Sequence, residues 1–424
     1  VSISRIHISN FKSFGQGVEV DLHRLNVLIG VNASGKSNFV EAFDFLRDLA
    51  KDGLESAISY SSGGIDYLKN LRSQPKDPIE LEVTAELKYK GKSGRTVGAF
   101  NGSRGAIEID VSETRYKFVL WPTSDKAVEE TITHRAKVTF IPAKDDGSSA
   151  EPVAVLDGEI QISSSNGILR YSPLFIRVSA EAEIATPDVF NPFFMGGEIE
   201  PKDLLIQNRL NFFGQHFLDD IGIYDFDPNL PRDARWGPGS AELERDGENL
   251  AIVMKAILDD PEKKRKLLNL MGYILPSVSE MRTEQHSDGS VLPAFSETYN
   301  PEAPLPATIM SDGTISVTDL IVALYFTENS LVVIEEPDRS IHPSLISAVM
   351  SLIREVSEKK QVIITTHNPE LLRHVEAIGD ILLVSRDHQG DSQISRPAQK
   401  DEIKAFLSEE LGIAELFVSN LLGA

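Results

Sequence analysis

The spacing of apolar residues changes several times along the chain. Over residues 1–30 it is short: Ile3, Ile6 and Ile8, then Val18 to Leu22, then Leu25 to Ile29, three expected strands. From 38 to 50 it lengthens to the helical period, with Phe39, Ala42, Phe43, Leu46 and Leu49 on one face. Residues 79–175 return to short alternating runs, such as Ile79-Glu80-Leu81-Glu82-Val83 and Tyr116-Lys117-Phe118-Val119-Leu120. Gly-, Ser- and Asp-rich turns separate them, which predicts an antiparallel β region. Residues 176–237 show no period and are punctuated by Pro187, Pro192, Pro201, Pro228 and Pro231. Helical spacing resumes near 240–275. The last third then alternates: helix 314–328, strand 331–336, helix 343–358, strand 361–366, helix 369–376, strand 380–385. That βαβ order predicts a parallel sheet. The expected class is α/β: a mixed or parallel core sheet flanked by helices, plus an antiparallel β subdomain. The expected divisions are 1–175, a mostly irregular or helical insert at 176–300, and 301–424.

Candidate chemistry sits at the joints of this pattern. Gly30-Val31-Asn32-Ala33-Ser34-Gly35-Lys36-Ser37 fits G-x-x-x-x-G-K-[ST], with an apolar strand before it and an amphipathic helix after it. Backbone N–H groups of such a loop wrap a β-phosphate, and the helix N-terminus adds partial positive charge. Lys36 would reach the β- and γ-phosphates, and the Ser37 hydroxyl would hold Mg²⁺.

Leu331-Val332-Val333-Ile334-Glu335-Glu336-Pro337 is an apolar run ending in two carboxylates. A buried strand ending in acids suits a phosphate site at a sheet's C-terminal edge. One acid must hold the metal and one must deprotonate the attacking water; Glu335 is assigned to the metal and Glu336 to the water. Gln361 to Thr366 is a second buried strand, ending at His367, which could bond the γ-phosphate or the water. Ser311-Asp312-Gly313-Thr314 opens a helix and could be a second anion site or simply a helix cap. One nucleotide needs only one phosphate loop, so a second anion site suggests service to a partner subunit.

Composition narrows the class. There is no cysteine, which excludes disulfides, thiol catalysis and Cys-based zinc sites. No apolar run reaches membrane-spanning length. The N-terminal segment alternates like a strand rather than a signal peptide, so a soluble cytoplasmic protein without membrane contact is expected. The net charge is −22, which disfavours general binding of polyanions and leaves DNA contact to a local patch. The densest basic run, Lys263-Lys264-Arg265-Lys266, opens a helix-like stretch and reads as its solvated face.

The order of these motifs resembles the ABC-like ATPase group of RecF, OLD and SMC heads. Ile8-Ser9-Asn10-Phe11-Lys12-Ser13-Phe14 looks like that group's opening I-x-N-F-K-S-F, and the loop continues to Asn38 as the group's does. Ser311 to Thr314 looks like the signature, Ile334 to Pro337 like Walker B, Thr365 to Pro369 like the switch histidine, and Ser340-Ile341-His342-Pro343 like the D-loop. Leu243 to Ala251 and Glu415 to Gly423 are similar to stretches of the stand-alone OLD-like AAA_21 ATPases.

The resemblance implies ATP and Mg²⁺ as ligands, and a head that closes on a second copy, with Ser311, Asp312 and Gly313 meeting the other copy's γ-phosphate. It places Lys12 and Ser13 near adenine or ribose and makes Gln74, the only glutamine in 38–100, the candidate Q-loop ligand of the metal. Ala33 departs from the usual Gly, Asp312 stands where transporters have Gly, and Arg339-Ser340 replace a commoner Asn-Gly. No heptad run supplies coiled-coil arms, and with no room expected after residue 424 for the nuclease (Toprim) domain of full OLD proteins, any nuclease activity is expected from a partner. Three functions follow: an ATPase gating a partner nuclease or toxin, as in Septu- or PARIS-type anti-phage systems; a RecF-like DNA-repair ATPase; or a non-catalytic ATP-bound scaffold.

Overall fold

A computed structural model describes residues 2–61, 63–74, 76–92, 99–100, 103–122, 127–142, 154–165, 168–177, 204, 206, 217–236, 242–399 and 413–419. Pro187, Pro192 and Pro201, and the end of the Glu415–Gly423 stretch, lie outside these residues. Strands β1 (Ser2–Ser9), β2 (Val18–Asp21) and β3 (Leu25–Ile29) precede helix α1 (Lys36–Asp52). Short helices α2 (Leu54–Tyr60) and α3 (Ile65–Leu68) lead into β4 (Ile79–Lys92), β5 (Ala99–Phe100), β6 (Ser103–Leu120), β7 (Val128–Pro142), β8 (Ala154–Ser165) and β9 (Ile168–Arg177). Next come β10 (Ile221–Tyr224), α4 (Leu250–Asp259), α5 (Pro261–Ile274), β11 (Val278–Gln285), β12 (Val291–Glu297) and β13 (Asn300–Pro306). The chain continues through α6 (Asp312–Tyr325), β14 (Leu331–Glu335), α7 (Pro343–Ser357), β15 (Gln361–Thr366), α8 (Pro369–Leu372), β16 (Ile381–Arg386), β17 (Ser392–Ser395) and α9 (Ile413–Val418).

By contact the chain forms two compact units: Val1–Leu22 with Ala42–Asp219, and His23–Glu41 with Asp220–Ala424. This differs from the expected divisions 1–175, 176–300 and 301–424. The phosphate loop falls with the C-terminal half, because β3 pairs with β15 and β16. The expected insert is no separate body either. Its β10 joins the core sheet beside β14, and β11, β12 and β13 form an antiparallel sheet where irregular or helical chain was expected.

The first unit is built on an antiparallel sheet of order β2-β1-β4-β6-β7-β8-β9, with β5 on β6. Its β1 buries Ile3, Ile6 and Ile8, a spacing that breaks strict alternation. A register shift between Ile3 and Arg5 against β4 absorbs the extra residue. Phe45 of α1 lies between Phe11 and Phe118, with ring centroids 6.0 and 5.8 Å away. All three rings are buried, so the helix is fastened by aromatic packing.

The second unit carries a six-stranded sheet of order β10-β14-β15-β3-β16-β17. The first five strands run parallel and β17 returns antiparallel. Both faces are covered, which is why β3, β14 and β15 are apolar or buried at every position. Helix α6 is buried from Thr314 to Leu324. Helix α5 is capped by Asp260, whose carboxylate accepts from the Glu262 and Lys263 N–H groups. It buries Leu267, Met271 and Ile274 and leaves Lys263, Lys264 and Arg265 on its outer face. Among the described residues no helix is long and apolar enough to cross a membrane.

Candidate functional site

Parallel strands point all their C-terminal ends to one edge of the sheet, and loops at that edge converge. Here the edge collects Asp225 after β10, Glu335 and Glu336 at β14, His367 after β15, the phosphate loop after β3, and Arg386 at the end of β16. Most of them, with Thr365, line a cavity of about 460 Å³, a size that suits a small ligand.

The loop is held tightly. A Cβ at Gly30 would stand 2.3 Å from the Val384 carbonyl oxygen and 2.7 Å from Ser34 Oγ, so only glycine fits. Arg386 Nε donates to the Ala33 carbonyl at 2.9 Å and Ser392 Oγ to the Ser34 carbonyl at 2.6 Å. Lys36 Nζ donates to the carbonyls of Gly30 (2.9 Å) and Val31 (3.2 Å). Burial pushes this ammonium below its ordinary pKa, against the pull of Glu336 and Glu335. The Ser34 hydroxyl is buried with no hydrogen-bond partner among the described residues.

Two acid pairs face the loop. Glu335 accepts from the Ser37 hydroxyl, and from Arg245 at 3.0 Å. Burial raises its pKa; Ser37 opposes that, Asp225 adds to it, and Arg245 opposes it. Glu336 has a positive φ of 45° and is pinned through its N–H to the Thr365 carbonyl at 3.0 Å. Its Oε1 lies 2.8 Å from His367 Nδ1, and its Oε2 accepts from Arg339 at 3.1 and 3.3 Å. Burial works against its charge, but the bonds from Arg339 and His367 outweigh that and hold the carboxyl below its ordinary pKa. A carboxylate only accepts, so the His367 proton sits on Nδ1 and leaves Nε2 to face other partners.

The signature stands elsewhere in the same unit. Ser311 caps α6, accepting from the Thr314 N–H at 3.2 Å. Asp312 pairs with Arg232 at 2.5 Å. A Cβ at Gly313 would meet the Ser340 carbonyl oxygen at 2.9 Å, so signature and D-loop are packed backbone to backbone. None of Ser311, Asp312 and Gly313 lines the cavity, and Ser311 and Asp312 are exposed.

Residues 2–135 match the family model described as an AAA ATPase domain. Residues 187–373 match the one described as an AAA domain, putative AbiEii toxin, Type IV TA system. Endonuclease GajA of Bacillus cereus (strain VD045) is 22% identical over 399 residues, which cover 89% of this chain and 57% of that protein. The chain therefore spans little more than half the length of that relative. The SMC head domain from Thermotoga maritima aligns at 12% identity and TM-score 0.44, over 93% of this chain and 99% of its own. An SMC head bound to the C-winged helix domain of ScpA aligns at 16% identity and TM-score 0.51, over 95% of this chain and 100% of its own, and shares the fold. Two ATPase-domain family models thus match separate stretches of the chain, and its fold is similar to that of an SMC head.

The structure brings together Asn32, Ala33, Gly35, Lys36, Ser37, Asn38, Glu335 and Glu336 around one cavity, with His367 bonded to Glu336. Lys12, Ser13 and Gln74 belong to the first unit, whereas the cavity is lined by the second unit alone. Gln74 sits in an exposed turn, its N–H donating to Asp77 at 2.8 Å. Asp225, Arg245 and Arg386 were not anticipated as members of the site, and Arg339 was noted only as a departure. Asp225 had a readable signal, since Ile221 to Tyr224 is an apolar run ending in an acid, like the run before Glu335.

Proposed function

We propose that this head binds Mg·ATP in the cavity, hydrolyses it with Glu336 as the base, and closes head to tail on a second copy to gate a separate effector. The observation that carries the reading is the pair of contacts facing the phosphate loop: Ser37 with Glu335, and Glu336 with His367. The donor set fits the ligand. The backbone of Asn32, Ala33 and Gly35 and the Lys36 ammonium, all lining the cavity, suit phosphate, and Ser37 with Glu335 offers hard oxygens for Mg²⁺. When bound, the metal neutralises phosphate charge. Glu336 is ionised and takes the proton of the attacking water, while His367 Nε2 accepts from that water or, once protonated, donates to the γ-phosphate.

The exposed N-terminus of α6 supports closure on a partner. It offers a helix-end anion site outside the cavity of its own chain, and one nucleotide needs only one loop. The endonuclease name of the GajA relative supports a nuclease as the effector; the proposed setting is anti-phage defence.

The test is light scattering after gel filtration, with and without Mg·ATP. Wild type should gain mass on ATP and lose it on turnover; Glu336→Gln should stay locked in the larger form. Lys36→Ala should lose nucleotide, and Ser311→Arg should bind ATP without gaining mass. A Glu336→Gln protein that turns over ATP at the wild-type rate would falsify the assignment of the base.

A further inference from the structure

Arg339 follows Glu336 by three residues and stands where the motif pattern more commonly has Asn. Its guanidinium is nevertheless spent almost wholly on the site. Nε and Nη2 donate to Glu336 Oε2 at 3.3 and 3.1 Å. Nη1 donates to Asp225 Oδ1 at 3.0 Å, beside the Phe226 carbonyl at 3.4 Å. Asp225 follows β10, a strand paired with β14, so the arginine is braced between two neighbouring strand ends.

The acceptor count of Glu336 gives the bracing a purpose. A carboxylate oxygen has two lone pairs. On Oε2 both are taken by Arg339. On Oε1 one is taken by the His367 Nδ1–H at 2.8 Å. Among the described contacts one acceptor position is left, on Oε1 beside His367. The backbone is equally constrained: Glu336 is a non-glycine residue at φ 45°, tied by its N–H to Thr365 O and Oγ1 at 3.0 and 3.2 Å. Such strain persists where the surroundings over-determine it, and it clusters at functional sites.

We propose that Arg339 is a positioning residue: by occupying Oε2 it leaves Glu336 a single acceptor site and so fixes where the attacking water is held. The inference rests on the ATPase reading above. Lysine cannot reproduce the function, because its ammonium lacks the planar fork that spans Oε2 and Asp225 together. Asp225 contributes by holding the fork in place.

The experiment compares kcat and nucleotide affinity for wild type, Arg339→Ala, Arg339→Lys, Asp225→Asn and Glu336→Gln, using steady-state and single-turnover ATP hydrolysis and a fluorescent ATP analogue. Arg339→Ala should lower kcat about 100-fold, the scale of a misplaced catalytic group, while the analogue's affinity stays within about twofold. Arg339→Lys should recover only part of the rate, and Asp225→Asn should fall between Lys and wild type. In a Glu336→Gln background, adding Arg339→Ala should leave the residual single-turnover rate unchanged, because a residue acting through Glu336 has nothing left to position. An unchanged kcat in Arg339→Ala, or an equal further loss in the Glu336→Gln background, overturns the inference while leaving the base assignment intact. If Glu336→Gln itself keeps the wild-type rate, the ATPase reading fails first and this inference falls with it.

Discussion

Ala33 sits at φ 61° in the phosphate loop, a left-handed conformation that glycine adopts freely and an L side chain does not. Its carbonyl is held by Arg386, so the conformation is imposed from outside. Ala33→Gly should therefore stabilise the protein by about 1 kcal/mol in urea unfolding without weakening nucleotide binding. The opposite change at Gly30 has no such latitude, because the Val384 carbonyl leaves no space for a Cβ. At this scale most of the site was legible: the phosphate loop, Glu335, Glu336 and His367 each follow or end an apolar strand, and they meet. Arg245 and Arg339 were not legible, because an arginine in a loop has no period, and only the fold shows which acid it reaches.

Among the elements, α6 carries a cost. Asp319 is fully buried, neither carboxylate oxygen has a hydrogen-bond partner among the described residues, and a Cβ on the facing Gly247 would lie 2.8 Å from its Oδ1. Burial first, and the nearby Asp246 second, push its pKa well above the ordinary 3.8. The folded state thus holds this proton more tightly than the unfolded chain, so the group's contribution to stability declines as pH rises above about 4 towards the raised value. Asp319→Leu, similar in branching, should gain about 1–3 kcal/mol at pH 7 by removing an unsatisfied buried carboxyl. Its advantage over wild type in urea unfolding should widen between pH 5 and pH 8; a constant gap would mean that the carboxyl does not titrate with folding.

Elements differ in how plainly they announce themselves. Strands β14 and β15 are long apolar runs and were readable; β10 is four residues long in a proline-rich stretch and was not. Strand β13 holds Pro301, Pro304 and Pro306, which argue against a strand, yet it lies at the edge of its sheet, where missing N–H donors are tolerated. Helix α8 stops at Leu372, although apolar spacing suggested 376.

For the whole molecule the governing quantity is charge. Two chains of net −22 repel one another, and salt screens that repulsion over about 10 Å at 0.1 M. ATP-driven association should therefore strengthen from 50 to 300 mM salt, as followed by light scattering. Binding to DNA would weaken over the same range, so the sign of the salt effect separates closure of two heads from a RecF-like reading. Domain division was the least legible property. Pairing partners of an apolar strand cannot be told from its composition, and β3 pairs with strands more than 300 residues downstream rather than with the β region that follows it.

That long-range pairing has a consequence for how the protein is made. On a ribosome adding roughly 5–20 residues per second, β15 follows β3 and the phosphate loop by tens of seconds. Throughout that interval the loop's strand has neither of its neighbours, β15 and β16, beside it. A nascent chain halted before residue 361 lacks both flanks of the loop, so nucleotide capture has to wait for strands made more than 300 residues after it.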